Sequence, residues 1–372
     1  MESASKTPVS PTGSACCGGA PAASSCGCGA ASAPARPVRR IPCVRASWTR
    51  GDRWGEIRVR WGIGRMRYTV EPGLYAIGDP TPVSPVFVSA NYKLSFDHLR
   101  RGLAGIDGWI LVLDTRGVNV WCAAGKGTFG TAELVKRIRE TRLEEIVSHR
   151  ELIVPQLGAT GVAAHLVREA SGFRVVYGPV RARDIAAFLA AGQRATPEMR
   201  RVRFRIADRL AVVPVELGQW GKYAVPVALV LGVLSGLRPG GWSSAALAGT
   251  GPRAAAFILS AWLTGAVLTP VLLPWLPGRP FTVKGAVLGA LVAIGAIVLG
   301  GLPLQATPQR VDAAAWLLML PAISGFVAMN YTGASTFTSL SGVKQEMRYA
   351  IPAVIIAAAV GLGLWVLARF LA

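Results

Sequence analysis

The chain has little cysteine wherever its sequence predicts folded structure. Cys122 is the only cysteine after residue 43, and the other five precede it. Those five are Cys16, Cys17, Cys26, Cys28 and Cys43. This distribution fits no disulfide framework and indicates a reducing compartment. Histidine is also scarce, with three residues, and no zinc-finger spacing is present.

Charged residues are scarce too, at 16%, whereas hydrophobic residues make up 52% of the 372 residues. This balance argues against an ordinary soluble protein of this length and indicates membrane spans. The formal net charge is +20, but 32 of the 40 Lys and Arg residues precede Tyr223. A basic domain beside an anionic membrane surface accounts for that asymmetry. Since no stacked-aromatic RNA motif accompanies the charge, we expect no nucleic-acid partner.

The first 43 residues lack both a basic start and an apolar stretch, so they do not predict a signal peptide. They are rich in Ala, Ser, Gly and Pro and predict a disordered, cysteine-containing tail. Cys16 with Cys17, and Cys26 with Cys28, form two close pairs. Because two thiolates bind Hg(II) linearly, one hypothesis is mercury capture by this tail. The alternative is a disordered extension without a role.

Charge is almost absent after Tyr223. Five uncharged stretches follow: 223–237, 254–278, 285–309, 313–343 and 349–368. About 20 apolar residues cross a bilayer, and the short first stretch has Lys222 and Arg238 to snorkel at its ends. Residues 223–372 therefore predict an all-α transmembrane domain with five helices.

Residues 193–222 predict a basic linker or interfacial helix that leads into the first span. We expect a multi-pass protein of the cell (inner) membrane with its N-terminal domain in the cytoplasm. The lack of charge within the stretches argues against an ion-coupled transporter. Residues 329–350 are rich in Ser and Thr, which either bond helix carbonyls or line a site for a soft ligand.

Residues 44–192 alternate short apolar runs with helical patterns. Strands are predicted over 85–89, 109–114, 151–155 and 173–179, and helices over 94–104, 131–142, 161–170 and 183–191. This alternation predicts a Rossmann-like, doubly wound α/β domain with a parallel sheet. Ligands of such domains bind at the carboxyl ends of the strands.

The segment Asn119–Lys126, NVWCAAGK, follows the second predicted strand. Its single thiol allows several interpretations: a buried structural cysteine, a nucleophile or a metal ligand. The glycines that follow match neither the Walker A pattern nor GxGxxG, which argues against a nucleotide site. The small residues beside Cys122 leave room for a broad, flat group such as a macrocycle.

NVWCAAGK resembles the motif of the membrane-bound corrinoid protein of microbial mercury methylation, and the resemblance extends over roughly residues 54–372. The soluble part also resembles the corrinoid-binding domain in the large subunit of the corrinoid iron–sulfur protein of acetyl-CoA synthesis. In that soluble protein the matching segment lacks the cysteine. The Trp121–Cys122 pair joined to a membrane domain is what points to the first family.

The resemblance implies that Cys122 is the lower axial ligand of cobalt in a cobalamin-type corrinoid. It implies a cap helix in which Asn119 is the N-cap and small residues let the corrin approach. Lys126 would meet a corrin amide or phosphate, or stay a solvated charge. Together with the strand ends, the expected cofactor-binding residues are Cys122, Asn119, Val120, Trp121, Ala123, Ala124, Gly125, Lys126, Ser89, Asn91, Gln156 and Gly178.

The implied activity is methyl transfer to inorganic Hg(II), giving methylmercury. The implied partners are a small ferredoxin with two [4Fe–4S] clusters and a methyltetrahydrofolate-linked methyl donor protein, and we expect no cluster in the chain itself. A thiolate beneath cobalt favours delivery of methyl with its electrons, which the electrophile Hg(II) requires. The alternative is a membrane-anchored corrinoid methyl carrier of one-carbon metabolism with another native acceptor.

Overall fold

The computed structural model describes residues 41–331 and 340–371, and it divides into two compact units. Among the described residues, the first unit comprises 41–53 and 66–201. The second comprises 54–65 together with the described residues from 202 onward. The boundary at residues 53 and 54 falls inside helix α1 (Arg50–Arg60). Cys16, Cys17, Cys26 and Cys28 lie outside the described residues.

The first unit is built on a six-stranded sheet with the strand order β1-β2-β4-β3-β5-β6. Its strands are β1 (Cys43–Val44), β2 (Gly73–Ile77), β3 (Val86–Ala90), β4 (Gly108–Leu113), β5 (Glu151–Val154) and β6 (Arg174–Tyr177). Its helices are α2 (Lys93–Gly102), α3 (Val120–Lys126), α4 (Thr131–Thr141), α5 (Leu143–Ile146), α6 (Ala164–Ser171), α7 (Ile185–Ala190) and α8 (Pro197–Arg200). The expected α/β class is confirmed.

Strands β3 to β6 are parallel to one another, as the alternating pattern predicts. The sheet as a whole is mixed, because the additional strand β2 pairs antiparallel with β4, with Tyr75 opposite Ile110. Strand β2 covers an edge of β4 that would otherwise expose unpaired backbone groups. The sequence interpretation placed no strand at β1 or β2.

The sheet is buried on both faces, because alternate side chains of each strand enter different cores. Val88, Leu111 and Leu152 pack with α4 and α6 on one face. On the other face Phe87 and Ile153 pack with residues of α2 and α7. Helices therefore cover both faces, which leaves the carboxyl ends of the strands as the place for a ligand.

The second unit is helical beyond residue 202. Its helices are α9 (Ile206–Leu210), α10 (Val213–Leu234), α11 (Ser244–Leu263), α12 (Thr269–Leu272), α13 (Phe281–Val298), α14 (Thr307–Asn330) and α15 (Leu340–Phe370). A π-helical turn, Thr264–Leu268, joins α11 to α12, and the short strands β7 (Leu237–Arg238) and β8 (Gly241–Trp242) form a hairpin.

Five helical segments of the described chain are long and apolar enough to cross a membrane. They are Ile206–Leu234, Ser244–Leu272, Phe281–Val298, Thr307–Asn330 and Ser341–Phe370. The first starts within the segment interpreted as a linker, well before Tyr223. The Ser/Thr-rich segment 329–350 lies partly outside the described residues.

The helices extend past the uncharged stretches and carry buried charges. Asp312 is paired with Arg253 at 2.9 Å and with Arg369 at 2.7 Å, and its side chain is 5% exposed. Lys284 donates to the Leu273 carbonyl at 3.0 Å. The sequence argument against a transporter assumed that the spans carry no charge. Because the helices contain these buried charged residues, that argument no longer applies.

Candidate functional site

Helix α3 follows the carboxyl end of β4 after the loop 114–119, and its start is fixed by a side-chain cap. Asn119 adopts extended backbone angles, and its side-chain oxygen accepts a hydrogen bond from the backbone N–H of Cys122 at 2.9 Å. The helix ends at Gly127, whose φ of 80° is the left-handed geometry that glycine adopts without strain. These two signals confine α3 to seven residues.

The inner face of α3 is locked into the core. Ala123 is fully buried and Ala124 is 5% exposed, and both belong to the cluster beneath the sheet. Gly161 packs against this face so closely that a Cβ there would lie 3.0 Å from the Cα of Ala124. Ala123 and Ala124 were expected to leave room for a ligand, but they face the protein interior.

The outer face of α3 carries the thiol. Cys122 is half-buried, and Gly125 and Lys126 are exposed. A Cβ on Gly125 would meet nothing within 4 Å, so the surface one turn beyond Cys122 is open. The structure therefore leaves space for a flat group over Gly125, whereas Ala123 and Ala124 take no part in this opening.

Next to α3 lies a cavity of about 320 Å³. Of the expected residues, Ser89, Asn119, Val120, Trp121 and Gly178 line it. The wall that the sequence interpretation did not identify is formed by Phe87, Val88, Ser95, His98, Leu99, Ile153, Pro155, Leu157, Pro179, Val180, Ala182 and Ile185.

The cavity sits where the direction of strand addition reverses. The chain adds β4 on one side of β3 and then places β5 on its other side. Such a switch point is the usual ligand site of open α/β sheets. Ser95, His98 and Leu99 reach it from one face of α2, at positions whose helical spacing was visible in the sequence.

Asn91 was expected to contact the cofactor, but its side chain is committed to the β4–α3 loop. Its oxygen accepts hydrogen bonds from the Thr115 hydroxyl at 2.8 Å, the Thr115 N–H and the Gly117 N–H. Asn91 is 6% exposed. It therefore positions the segment that precedes α3.

Gln156 begins a 3₁₀ turn after β5 that contacts α3. Its side-chain oxygen Oε1 is buried and has no hydrogen-bond partner in the described structure. A buried carbonyl oxygen without a donor is costly, so this oxygen is available to accept a hydrogen bond from a bound group or a water.

A network of ion pairs holds α2, one of the helices that line the cavity, in place. Lys93 bridges Asp52 and Asp97 at 2.7 Å each, and Arg100 pairs with the same two carboxylates at 2.8 Å. Burial acts to raise the pKa of Asp52, but hydrogen bonds from Lys93, Thr49 and Arg100 outweigh it and lower that pKa. Burial acts to lower the pKa of Lys93, but its two carboxylate partners raise it.

No group of three or more His, Cys, Asp and Glu residues among the described residues is arranged to hold a metal ion.

Residues 64–189 match the family model of the CO dehydrogenase/acetyl-CoA synthase delta subunit. They contain α3, the cavity and every expected cofactor-binding residue, and they end before the long apolar helices. Gamma subunits of the acetyl-CoA decarbonylase/synthase complex are also similar to the chain. The subunit of Archaeoglobus fulgidus is 38% identical over 127 residues, which cover 34% of this chain and 27% of that protein. For Methanopyrus kandleri the identity is 41% over 123 residues, covering 32% and 26%.

The chain spans about a quarter of the length of these curated relatives. The coarser part of the resemblance, to a protein of acetyl-CoA synthesis, is thereby confirmed for the first unit.

Proposed function

We propose that the first unit binds a corrinoid through α3 and the adjacent cavity, and that the chain methylates inorganic Hg(II). The observation that carries the proposal is the two-faced construction of α3. Its inner face is fixed in the core, and its outer face presents Cys122 beside the open surface at Gly125. A structural cysteine would be expected on the inner face, where Ala123 and Ala124 lie instead.

The residues present fit a corrinoid. The Cys122 thiol would offer a soft donor that could hold the cobalt of a bound corrinoid. The Gln156 oxygen lacks a donor, and the peripheral amides of a corrinoid supply N–H groups. The cavity of about 320 Å³ is suited to a side arm such as a nucleotide base rather than to the whole macrocycle.

The chemistry that the corrinoid supplies is a methyl group, which Hg(II) accepts together with the bonding electrons. The chain's own residues would hold the corrinoid and orient the thiol of Cys122 toward it. Asn119 fixes the backbone of Cys122. Trp121 and Val120 form part of the cavity wall, and Asn91 fixes the loop before α3. Lys126, exposed at the end of α3, is placed to meet a corrin amide or a phosphate.

We propose that a small ferredoxin carrying two [4Fe–4S] clusters donates the electrons, and that a methyltetrahydrofolate-linked protein donates the methyl group. We further propose that the five long apolar helices cross the cell (inner) membrane and that the first unit is cytoplasmic.

The domain bounds proposed from sequence are a tail over 1–43, a corrinoid domain over 44–192, a linker over 193–222 and a transmembrane domain over 223–372. Cys16, Cys17, Cys26 and Cys28 of the tail are proposed to capture Hg(II).

A second function is supported by the similarity to acetyl-CoA decarbonylase/synthase gamma subunits. In this alternative the chain is a membrane-anchored methyl carrier of one-carbon metabolism, and Hg(II) is an incidental acceptor. Both functions use the same cofactor and the same face of α3, so they differ only in the acceptor.

The test is purification of the full chain under anoxic conditions, followed by measurement of bound cobalt and of methylmercury. The assay contains the ferredoxin, the methyl donor protein and Hg(II), and its control omits the donor protein. We expect about one cobalt per chain and donor-dependent methylmercury. Cobalt uptake without methylmercury would contradict transfer to Hg(II) and leave the carrier function. A chain that takes up no corrinoid would contradict both.

A further inference from the structure

A basic, aromatic surface surrounds the start of the first candidate span in the second unit. We call it the interfacial collar and define it as residues 54–65 and 202–210. The sequence interpretation predicted a basic linker or interfacial helix over residues 193–222, which include 202–210. The structure adds residues 54–65, which are far away in the sequence but belong to the same compact unit.

The first part of the collar presents an apolar stripe to solvent. Trp54 is 62% exposed, Ile57 48% and Trp61 47%. Their spacing of three and four residues places them on one face of a helix. Trp61 follows α1, but its N–H donates to the Ile57 carbonyl at 3.1 Å, so it continues the helical geometry. Val59, on another face, is buried.

The second part has the same character. Ile206 and Leu210, four residues apart in α9, are exposed and form a shorter apolar stripe, and Val202 in the non-helical segment before α9 is exposed as well. Exposed arginines accompany both stripes: Arg58 in the first part, and Arg203 and Arg205 in the second. Exposed Trp and aliphatic side chains flanked by arginine are the composition of helices that lie in the headgroup region of a membrane.

Residues 54–65 contact the chain just after the second part through one side-chain hydrogen bond and one close backbone approach. Arg60 donates from Nη1 to the Ala211 carbonyl at 3.1 Å. A Cβ on Gly218 would lie 2.6 Å from the Trp61 carbonyl oxygen, so only glycine allows this approach. Residues 60–62 therefore sit on the first turns of the segment Ile206–Leu234.

The depth of this contact follows from the length of the span. Ile206–Leu234 has 29 residues, about 43 Å at the rise of an α-helix, which exceeds a hydrocarbon core of about 30 Å. Its first turns carry Asp208, Arg209 and Glu216, whereas the stretch from Tyr223 is uncharged. With this span in a membrane, as proposed above, residues 206–218 would lie in the headgroup layer, and residues 54–65 would lie at the same level.

From these observations we infer that the interfacial collar binds an anionic phospholipid surface, with residues 54–65 as its second lipid-contacting element. The tryptophan and aliphatic stripe would enter the headgroup and acyl boundary. Arg58, Arg203 and Arg205 would meet lipid phosphates. This inference rests on the proposed membrane spans, but it is independent of the corrinoid proposal because it uses only residues of the second unit.

The first experiment uses the full chain in nanodiscs of phosphatidylcholine, alone or mixed in equal parts with phosphatidylglycerol. A photo-cross-linking residue, p-benzoylphenylalanine, replaces Ile57. Its control replaces Val83, which is 75% exposed in the first unit. We expect lipid adducts from position 57, more of them with phosphatidylglycerol, and none from position 83. Adducts at position 57 with protein alone, or the absence of adducts there, would overturn the inference.

The second experiment measures hydrogen exchange of the backbone amides of 54–65 in the same nanodiscs. Arg58→Gln removes one exposed charge, which is expected to speed exchange about fivefold in the mixed nanodiscs only, the factor corresponding to about 1 kcal/mol. Arg168→Gln changes an exposed arginine of α6 and is expected to leave this exchange unchanged. Identical exchange in both lipids, with no effect of Arg58→Gln, would contradict binding to anionic lipid.

Discussion

The side-chain oxygen of Asn119 accepts the backbone N–H of Cys122 at 2.9 Å, so the residue before α3 determines where the thiol-bearing turn begins. The first backbone N–H groups of a helix have no partner within it, and a capping side chain satisfies one of them. In this short helix a cap controls the orientation of the whole outer face.

Replacing this cap tests its positioning role. Asn119→Ala is expected to lower the unfolding free energy by about 1 kcal/mol and to reduce methylmercury formation, because Cys122 loses its fixed backbone. Asn119→Ser keeps a capping oxygen and should restore most of both quantities. Thermal unfolding and initial rates on the full chain measure them. Equal loss of activity in both variants would contradict the capping role and point to a direct contact of the amide with the ligand.

Filling the open surface at Gly125 tests whether a ligand approaches there. Gly125→Ala should leave the fold intact and stabilise it by about 0.5–1 kcal/mol, because glycine is unfavourable in helices. Gly125→Trp should fold but bind much less corrinoid, measured as cobalt per chain after anoxic reconstitution. Glu169→Trp places the same side chain at an exposed position of α6 and should bind normally. Full cobalt loading of Gly125→Trp would contradict an approach over this face.

The ion network of Asp52 predicts a dependence of stability on acid. Its pKa is lowered in the folded chain, so its contribution is fully present above the ordinary value of about 3.9. That contribution is lost as the pH falls through the folded pKa. Asp52→Asn should cost about 2 kcal/mol at neutral pH and flatten the loss of stability on acidification.

The measurement for Asp52 is the unfolding midpoint of the first unit between neutral and acidic pH. Glu169→Gln removes an exposed carboxylate and serves as the control, with an expected profile like that of the unmodified chain. An Asp52→Asn profile parallel to the unmodified one would show that this network does not determine the acid response.

The tail hypothesis predicts a dependence on mercury concentration. Deleting residues 2–40 should lower methylmercury formation at trace Hg(II) and leave it unchanged at high Hg(II), because capture matters only when the substrate is dilute. A full-length chain with serine at Cys16, Cys17, Cys26 and Cys28 should behave in the same way if the thiols are responsible. Unchanged rates at trace Hg(II) for both proteins would refute the hypothesis.

Local pattern predicted the strands and helices around the cavity well. The strand predicted over 85–89 is Val86–Ala90, and the helix predicted over 131–142 is Thr131–Thr141. Runs of Val, Ile and Leu bounded by turn residues specify such elements without reference to the rest of the chain. Strand β2 was not predicted, because its short sequence GLYAI carries little local signal. Its strand conformation depends on pairing with β4, which is distant in the sequence.

The faces of α3 were less accessible to sequence reasoning. Small residues fit equally well beside a ligand and in a tight core, so the sequence did not reveal that Ala123 and Ala124 pack inward. Asn91 ends a strand like a ligand-binding residue, yet its side chain is used by the neighbouring loop. The extent of the long helices was underestimated because their charges are paired or bound to carbonyl groups, as for Asp312 and Lys284.

The most direct test of the account is the absorption spectrum of the cobalt centre in the full chain, with Cys122 intact and as Cys122→Ser. Serine nearly preserves the shape of the thiol but offers cobalt a poor, hard donor. We expect the unmodified chain to show a sulfur-to-cobalt band and to form methylmercury, and Cys122→Ser to fold normally and lose both. Cys122→Ala should match the serine variant, and Cys122→His should regain at most weak activity. A Cys122→Ala chain with the unmodified spectrum and full methylmercury formation would contradict ligation by Cys122.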